Sequence, residues 1–417
     1  MKRLTVREWG TVPIGDGQDE VTSAEGDALL AVAQGAAADL RSGGDEVLQG
    51  GRHRLRVGQT VGIIAAAGVS LEILPKIADQ DDTVVRRNLV RMIAEVEGFP
   101  LSAEESAELE RQASDLLEIL IGLFARRLLA AVRPGLTRNY LTREDDLPAL
   151  RGRLQPERQF ARLAGRADLL ACRFDELSAN TALNRVVAAA ARLLLSRTRV
   201  AISARALSEA LLHFESVAEL RGPLPPVHLD RTNARFRALH AQARLFLQGW
   251  YQSTTGGRQV GQAILFRMND LFERWIARTM RRRLTPEGWT VRLQGPLSYA
   301  LTRDGTPLFR MQPDIVLDRK GFRIVVDTKW KQLDPMNRDP RRGVAQADVY
   351  QMMAYARAYE AGTMVLLYPG IAPGLNLDRL QIAPEGPPLW LVELSIQRLD
   401  AVPEALALMI ERLKEVA

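Results

Sequence analysis

The sequence predicts an α+β multidomain protein with an N-terminal β-rich module, a central helical domain and a C-terminal α/β domain. Three observations predict it. Residues 1–77 carry short β-branched runs broken at glycines, residues 78–256 carry apolar residues at helical spacing, and from residue 257 helix-like and strand-like segments alternate. At 417 residues, 47% of them hydrophobic, the chain is long enough for several buried cores.

In the first region Thr5, Arg7 and Trp9 alternate with Val6 and Glu8, the period-two pattern of a strand with two unlike faces. Further on, RHRLRVGQTVGIIAAAGVSLEILPKI strings together β-branched runs separated at Gly58 and Gly68. In the second region Leu89, Met92, Ile93 and Val96, then Leu116, Leu117, Leu120 and Phe124, recur at helical spacing. Gly135, Gly152 and the LRGPLPP stretch with Pro223, Pro225 and Pro226 punctuate it, the last reading as a linker. The third region opens with a long helical pattern, QAILFRMNDLFERWIARTMRRRL, followed by strand-like runs, another helix and the strand TMVLLYP.

Composition narrows the chemistry. The single cysteine, Cys172, has no intramolecular disulfide partner, and four scattered histidines (His53, His213, His228, His240) form no zinc pattern, so any metal is expected to be held by oxygen. A net charge of +6 permits a polyanionic partner without identifying one. The start MKRLTVREWG has no apolar signal-peptide core, and no apolar run reaches the roughly eighteen residues that mark a membrane span, so a cytoplasmic chain with no membrane partner is expected.

The chemically informative segment is LFRMQPDIVLD followed by FRIVVDTKWK, which reads as a β-hairpin closed at Lys320 and Gly321. A two-residue loop sets Asp314 directly opposite Asp327, whereas a four-residue loop from Asp318 to Gly321 makes them diagonal neighbours. Either register leaves the carboxylates roughly 5 to 8 Å apart before side-chain reach is counted. The strand period puts Asp327 and Lys329 on one face, with Val326, Thr328 and Trp330 on the other. Two like charges so placed destabilise a sheet unless a positive charge lies between them. Mg²⁺ accepts such a donor set, one or two carboxylates completed by phosphate and water. Asp314 and Asp327 are then the metal ligands, and Lys329 orients or deprotonates water or stabilises the transition state of phosphodiester hydrolysis. Pro313, which lacks an N–H, interrupts the ladder beside Asp314. Equally, Asp and Lys are ordinary strand-end residues.

Two flanking helices supply further candidates. Glu273 sits at the edge of the apolar stripe Leu265, Met268, Phe272 and Ile276, either as a third metal carboxylate or as a solvated glutamate. Gln351 and Tyr355 lie four residues apart, as do Gln346 and Tyr350, so each pair shares a helix face that either lines the site or faces solvent. Arginines cluster at Arg281, Arg282 and Arg283 and at Arg338, Arg341 and Arg342. They could engage backbone phosphates, although the first cluster equally suits a helix C-terminus.

The arrangement Pro313-Asp314, Asp327-Thr328-Lys329 and Gln351 to Tyr355 resembles the PD-(D/E)xK restriction-endonuclease-like pattern with its trailing QxxxY helix. LTVREWG, LEILPKI, GLTRNYLTREDDLPALRGR, DELSANTALNR, NDLFERW and DVYQMMAYA, in this order along most of the chain, resemble the McrC family, the nuclease subunits of McrBC-type modification-dependent restriction systems. The resemblance implies a Mg²⁺-dependent DNA endonuclease subunit whose N-terminal part, residues 1–77, binds and stimulates a McrB-like AAA+ GTPase ring. It also implies a McrC–McrC dimer bridging two rings, and DNA whose modification is read mainly by the partner. By position it makes Asp314, Asp327, Lys329, Glu273, Gln351 and Tyr355 the site residues, the two aspartates and Glu273 being the metal ligands. Trp330 stands where many relatives have a tyrosine. No G-x-x-x-x-G-K-[ST] phosphate loop is present, and TTGGRQVGQ lacks the lysine, so nucleotide hydrolysis is expected from the partner alone. The middle strings are read as interface or folding elements, with Ser178 a candidate helix cap. The competing reading is a non-catalytic activator or adaptor of an AAA+ ring. An adaptor has no need for a charge-repelling carboxylate pair, and a plain DNA-binding protein leaves that pair unexplained.

Overall fold

The computed structural model describes residues 2–40, 47–77, 81–110, 115–252, 260–333, 341–382 and 386–415. They form two compact units, Met1–Leu116 with Gly249–Ala417, and Leu117–Gln248. The three regions of the sequence are thus a division by element type, while tertiary contacts join the two ends of the chain.

The first unit begins with β1 (Lys2–Arg7), β2 (Thr11–Pro13), α1 (Ser23–Asp39), β3 (Leu48–Gly50), β4 (Arg54–Val57), β5 (Thr60–Ala66) and β6 (Val69–Leu74). The strands follow the β-branched runs, but α1 was not expected. Its alanine-rich face gives little apolar contrast, although Thr22 and Glu25 form a capping box, each accepting from the other's backbone N–H. Ala28, Leu29, Val32 and Ala36 pack it against Leu55, Ile64 and Leu71. Then come α2 (Asp82–Glu97) and α3 (Ala103–Leu109). Glu72 of β6 is buried and fully engaged: Arg86 of α2 grips both of its oxygens at 2.7 Å, and Thr5 Oγ1 and Leu116 N also donate to it.

The second unit contains α4 (Leu116–Val132), β7 (Asn139–Leu147), β8 (Arg153–Leu154), α5 (Pro156–Arg162), β9 (Leu170–Ser178), α6 (Ala182–Leu195), α7 (Ala201–Leu212) and α8 (Arg237–Gln248). The helical expectation missed its antiparallel sheet, ordered β7-β9-β8. Most of β7 is exposed, so NYLTREDDL has no apolar face to reveal the period. Thr181, not Ser178, caps α6, and buried Asn184 donates to the carbonyls of Thr137 and Ala179 at 2.8 and 2.7 Å, which gives DELSANTALNR a folding role. LRGPLPP connects α7 to α8 inside this unit.

The chain then returns to the first unit through β10 (Trp250–Gln252) and β11 (Val260–Arg267), which extend the N-terminal sheet to the order β1-β6-β5-β11-β10. QAILFR is therefore a strand, not the start of a helix. Gly62 permits the pairing: its φ is 128°, and a Cβ there would meet Ile264 O at 1.9 Å. After α9 (Met268–Leu284) come β12 (Thr290–Leu293), β13 (Ser298–Arg303), β14 (Thr306–Met311), β15 (Ile315–Arg319), β16 (Phe322–Thr328), α10 (Gln346–Ala358), β17 (Thr363–Gly370), β18 (Leu375–Gln381), β19 (Pro388–Ser395) and α11 (Val402–Glu415). A mixed sheet, β12-β15-β16-β17-β19-β18, has β16, β17 and β19 parallel. Every residue of β17 is buried, as a strand covered on both faces requires. Val316, Val325, Met364 and Leu366 pack with Met352 and Tyr355 of α10 and with Tyr359 just beyond it, while α9 packs against β12, β16 and α11. No helix among the described residues is long and apolar enough to cross a membrane.

Candidate active site

The β15–β16 hairpin adopts the two-residue loop. Arg319 pairs with Phe322, and Lys320 and Gly321 have φ values of 52° and 83°, as a loop with two left-handed residues requires. The register Ile315–Val326 then sets Asp314, one residue before β15, opposite Asp327. The run LFRMQPDIVLD is not one strand. It breaks at 312–314, where Pro313 has no N–H to donate and the carbonyls of Pro313 and Asp314 accept from Gly295 N at 2.8 Å and Gln294 N at 2.6 Å. Freed from the ladder, Asp314 turns across the open end of the hairpin, where its Oδ2 accepts from Thr328 N at 2.7 Å and Thr328 Oγ1 at 2.8 Å.

Asp327 and Lys329 share a face, with Nζ 2.8 Å from Asp327 Oδ2. Asp327 is buried, and Oδ2 has no other donor among the described residues. Lys329 Nζ also lies 3.3 Å from Asp348 Oδ1 and donates to Gln351 Oε1 at 3.2 Å. Gln351 Nε2 donates to Tyr355 Oη at 2.8 Å, and that hydroxyl donates to the Gln312 carbonyl at 3.0 Å. A relay thus runs from the ammonium along one face of α10 to the segment that carries Asp314. Of the two glutamine–tyrosine pairs, Gln346 and Tyr350 are bonded to each other on the exposed side, away from this relay.

Glu273 projects from α9, half-buried, with no hydrogen bond or ion pair among the described residues. Burial first, then the charges of Asp314, Asp270 and Asp327, push its carboxyl up to about 8. Asp327 is pushed up to about 7 by burial and by Asp314, against the pull of Lys329. Burial also raises Asp314, although the two bonds from Thr328 favour its charged form. Burial alone would lower Lys329, but Asp327 and Asp348 outweigh it and hold the ammonium above its ordinary value. Asp348 is itself drawn down, because Lys331 and Lys329 outweigh its own burial.

These carboxylates suit a hard cation in donor chemistry. They are all oxygen, they raise one another's proton affinity, and Asp327 Oδ2 and the Glu273 carboxylate are bonded to no N–H or O–H donor other than the Lys329 ammonium. No three His, Cys, Asp or Glu residues among those described converge as a ready-made ligand group. Mg²⁺ does not need one, since one or two carboxylates with phosphate and water complete its shell.

Bonds place Asp314, Asp327, Lys329, Gln351 and Tyr355 around this end of the sheet, whereas Glu273 is tied to them only through the charges of Asp314 and Asp327. Sequence reading missed Asp348, which holds Lys329 and Lys331, although its position three residues before Gln351 places it on the same helix face. Four of the clustered arginines have partners away from this site. Arg281 donates to the Val291 carbonyl, Arg282 pairs with Glu95, Arg283 with Glu287 and Glu404, and Arg342 with Asp378 and Glu393. Arg338 and most of TTGGRQVGQ lie outside the described residues.

Residues 55–369 match the family model of the McrBC 5-methylcytosine restriction system component. The chain belongs to this McrBC family. Two solved structures from Thermococcus gammatolerans share the fold of this McrBC-family chain. A chain of the half-complex of McrB AAA+ hexamers with bound McrC superposes with a TM-score of 0.73 at 22% identity, covering 98% of this chain and 100% of that one. A chain of the McrBC complex gives a TM-score of 0.55 at 25% identity, covering 68% and 88% respectively. Comparison with curated proteins gives no match.

Proposed function

We propose that this McrBC-family chain is the DNA-cleaving subunit of a restriction complex, a Mg²⁺-dependent endonuclease with a PD-(D/E)xK site that works with, and stimulates, a McrB-like AAA+ GTPase. The observation that carries the reading is the junction at the open end of the β15–β16 hairpin, where Asp314, Asp327 and Lys329 meet and Gln351 holds the lysine. A ring adaptor has no use for a buried carboxylate pair that must be kept from repelling itself. The solved relative bound to McrB AAA+ hexamers supports a ring partner for this chain as well.

Asp314 and Asp327 would hold Mg²⁺, with Glu273 as the third carboxylate. Bound there, the ion supplies positive charge against the charge growing on the phosphate and acidifies water. Lys329, kept protonated by Asp327 and Asp348, donates to the phosphate or to the attacking water and stabilises negative charge, a role that suits an ammonium better than a base. Gln351 and Tyr355 fix its direction.

The test is cleavage of modified DNA with Mg²⁺ and the cognate AAA+ partner, comparing the native chain with Asp327→Ala and Lys329→Ala. Each variant is expected to lose cleavage by about 10²-fold or more while still stimulating nucleotide hydrolysis. Native cleavage rates in both variants would refute the site. Deleting residues 1–77 is not a clean probe of partner stimulation, because it strips β1, β5 and β6 from the sheet that β10 and β11 complete.

A further inference from the structure

We infer that Glu8 is a positioning residue for Lys329, acting through the indole of Trp330, so that the N-terminal segment forms part of the framework of the proposed nuclease site. The inference rests on the reading of Lys329 given above and adds to it the group that holds the lysine from behind.

Strand β16 ends at Thr328, so Lys329 and Trp330 lie beyond the regular ladder. Three bonds hold them. Lys329 N donates to the Leu367 carbonyl at 2.9 Å, Trp330 N to Asn269 Oδ1 at 3.3 Å, and Trp330 Nε1 to Glu8 Oε1 at 2.7 Å. Trp330 is 8% exposed, and its indole meets the Phe272 ring edge-on at 5.2 Å. Pinned at both backbone and ring, Trp330 fixes the direction in which the preceding side chain leaves the strand. Asn269, one helical turn before Glu273 on α9, is in turn held by a reciprocal amide pair with Gln59, at 3.3 Å in each direction. Two N-terminal residues therefore support one short segment of the proposed site.

Glu8 is an expensive way to hold an indole. It is 2% exposed, its Oε1 is shared between Trp330 Nε1 and Lys76 N, and its Oε2 has no hydrogen-bond partner among the described residues. A buried carboxyl with one oxygen unsatisfied is less stabilising than an apolar side chain of the same shape. Such a local cost is expected where geometry matters more than stability. Glu8 and Trp330 also line a cavity of about 250 Å³, which gives the ring room to tilt once the bond is lost. Displacement of a catalytic group by about 1 Å can lower a rate by about 10²-fold.

The experiment measures DNA cleavage by the full chain with its AAA+ partner and Mg²⁺, separating kcat from KM. Glu8→Ala should lower kcat by about 10- to 100-fold with KM little changed, and, because it strands two N–H donors, should also lower stability by about 1–3 kcal/mol. Glu8→Gln should recover most of that loss, because the amide oxygen still accepts the indole N–H. Trp330→Phe should match Glu8→Ala, and the double variant should be no worse than either single one, as expected of two residues acting through one bond. The inference is overturned by native kcat in Glu8→Ala, by Glu8→Gln as impaired as Glu8→Ala, by additive losses, or by a loss of cleavage that lies in KM and leaves kcat unchanged. Lys329→Ala is the control. If it still cleaves, the site reading itself has failed, and the Glu8 inference falls with it.

Discussion

Replacing Asp327 with asparagine should stabilise the metal-free chain at alkaline pH while abolishing cleavage. In the folded chain this carboxyl is held at about 7 instead of its ordinary 3.8, mainly by burial and by the charge of Asp314. A raised carboxyl binds its proton more tightly folded than unfolded. Its contribution to stability is therefore fully present below pH 3.8 and is lost as pH rises through about 7. The full difference is at most about 4 kcal/mol. Asparagine carries no such loss; the pull of Lys329 at 2.8 Å is already contained in that difference, and the lysine keeps Asp348 at 3.3 Å. The net gain is about 1–3 kcal/mol above pH 8 and close to nothing near pH 4. Thermal denaturation in chelator at several pH values measures it, at about 1–2 °C per kcal/mol for a unit of this size. Mg²⁺ should raise the melting temperature of the native chain and leave the variant little changed. An Asp327→Asn chain less stable than the native one at pH 8 without metal would refute the claim that uncompensated charge is stored at this site.

The same carboxyls predict how metal binding depends on pH. Asp327 at about 7 and Glu273 at about 8 must lose their protons to ligate, so cleavage at limiting Mg²⁺ should rise through pH 7–8. Calorimetric titration with Mg²⁺ near pH 7 should release protons, and heats independent of the buffer's ionisation enthalpy would contradict this. Tyr355→Phe removes the hydroxyl that joins Gln351 to the Gln312 carbonyl, and should cost about 1–3 kcal/mol of stability and lower single-turnover cleavage by about tenfold; unchanged cleavage would show that the relay does not position Lys329. Glu72→Ala strands the buried Arg86 guanidinium and should lower stability by about 3–5 kcal/mol in urea denaturation. A loss under about 1 kcal/mol would mean that water replaces the pair.

Much of the candidate site is legible in the sequence because its logic is local. Lys320-Gly321 marks the hairpin and leaves two registers, both of which bring Asp314 near Asp327; the structure adopts the one that sets them opposite. The strand period puts Lys329 beside Asp327, and the helix period puts Gln351 beside Tyr355. Less legible were elements whose patterns lack contrast. α1 is alanine-rich, and β7 is mostly exposed, so neither shows a clear apolar period.

By itself the sequence determined the hairpin, its charged face and the glutamine–tyrosine helix, since torsional preference and side-chain period act over a few residues. Only the tertiary structure decided that Asp314 is bound by Thr328, that Asp348 shares the lysine, that β11 joins the N-terminal sheet and that Glu8 meets Trp330. Those partners are up to 322 residues apart, and no local pattern encodes which buried donor meets which buried acceptor. That choice is made by packing, when the two ends of the chain close into one unit and each polar group must find a partner or remain without one.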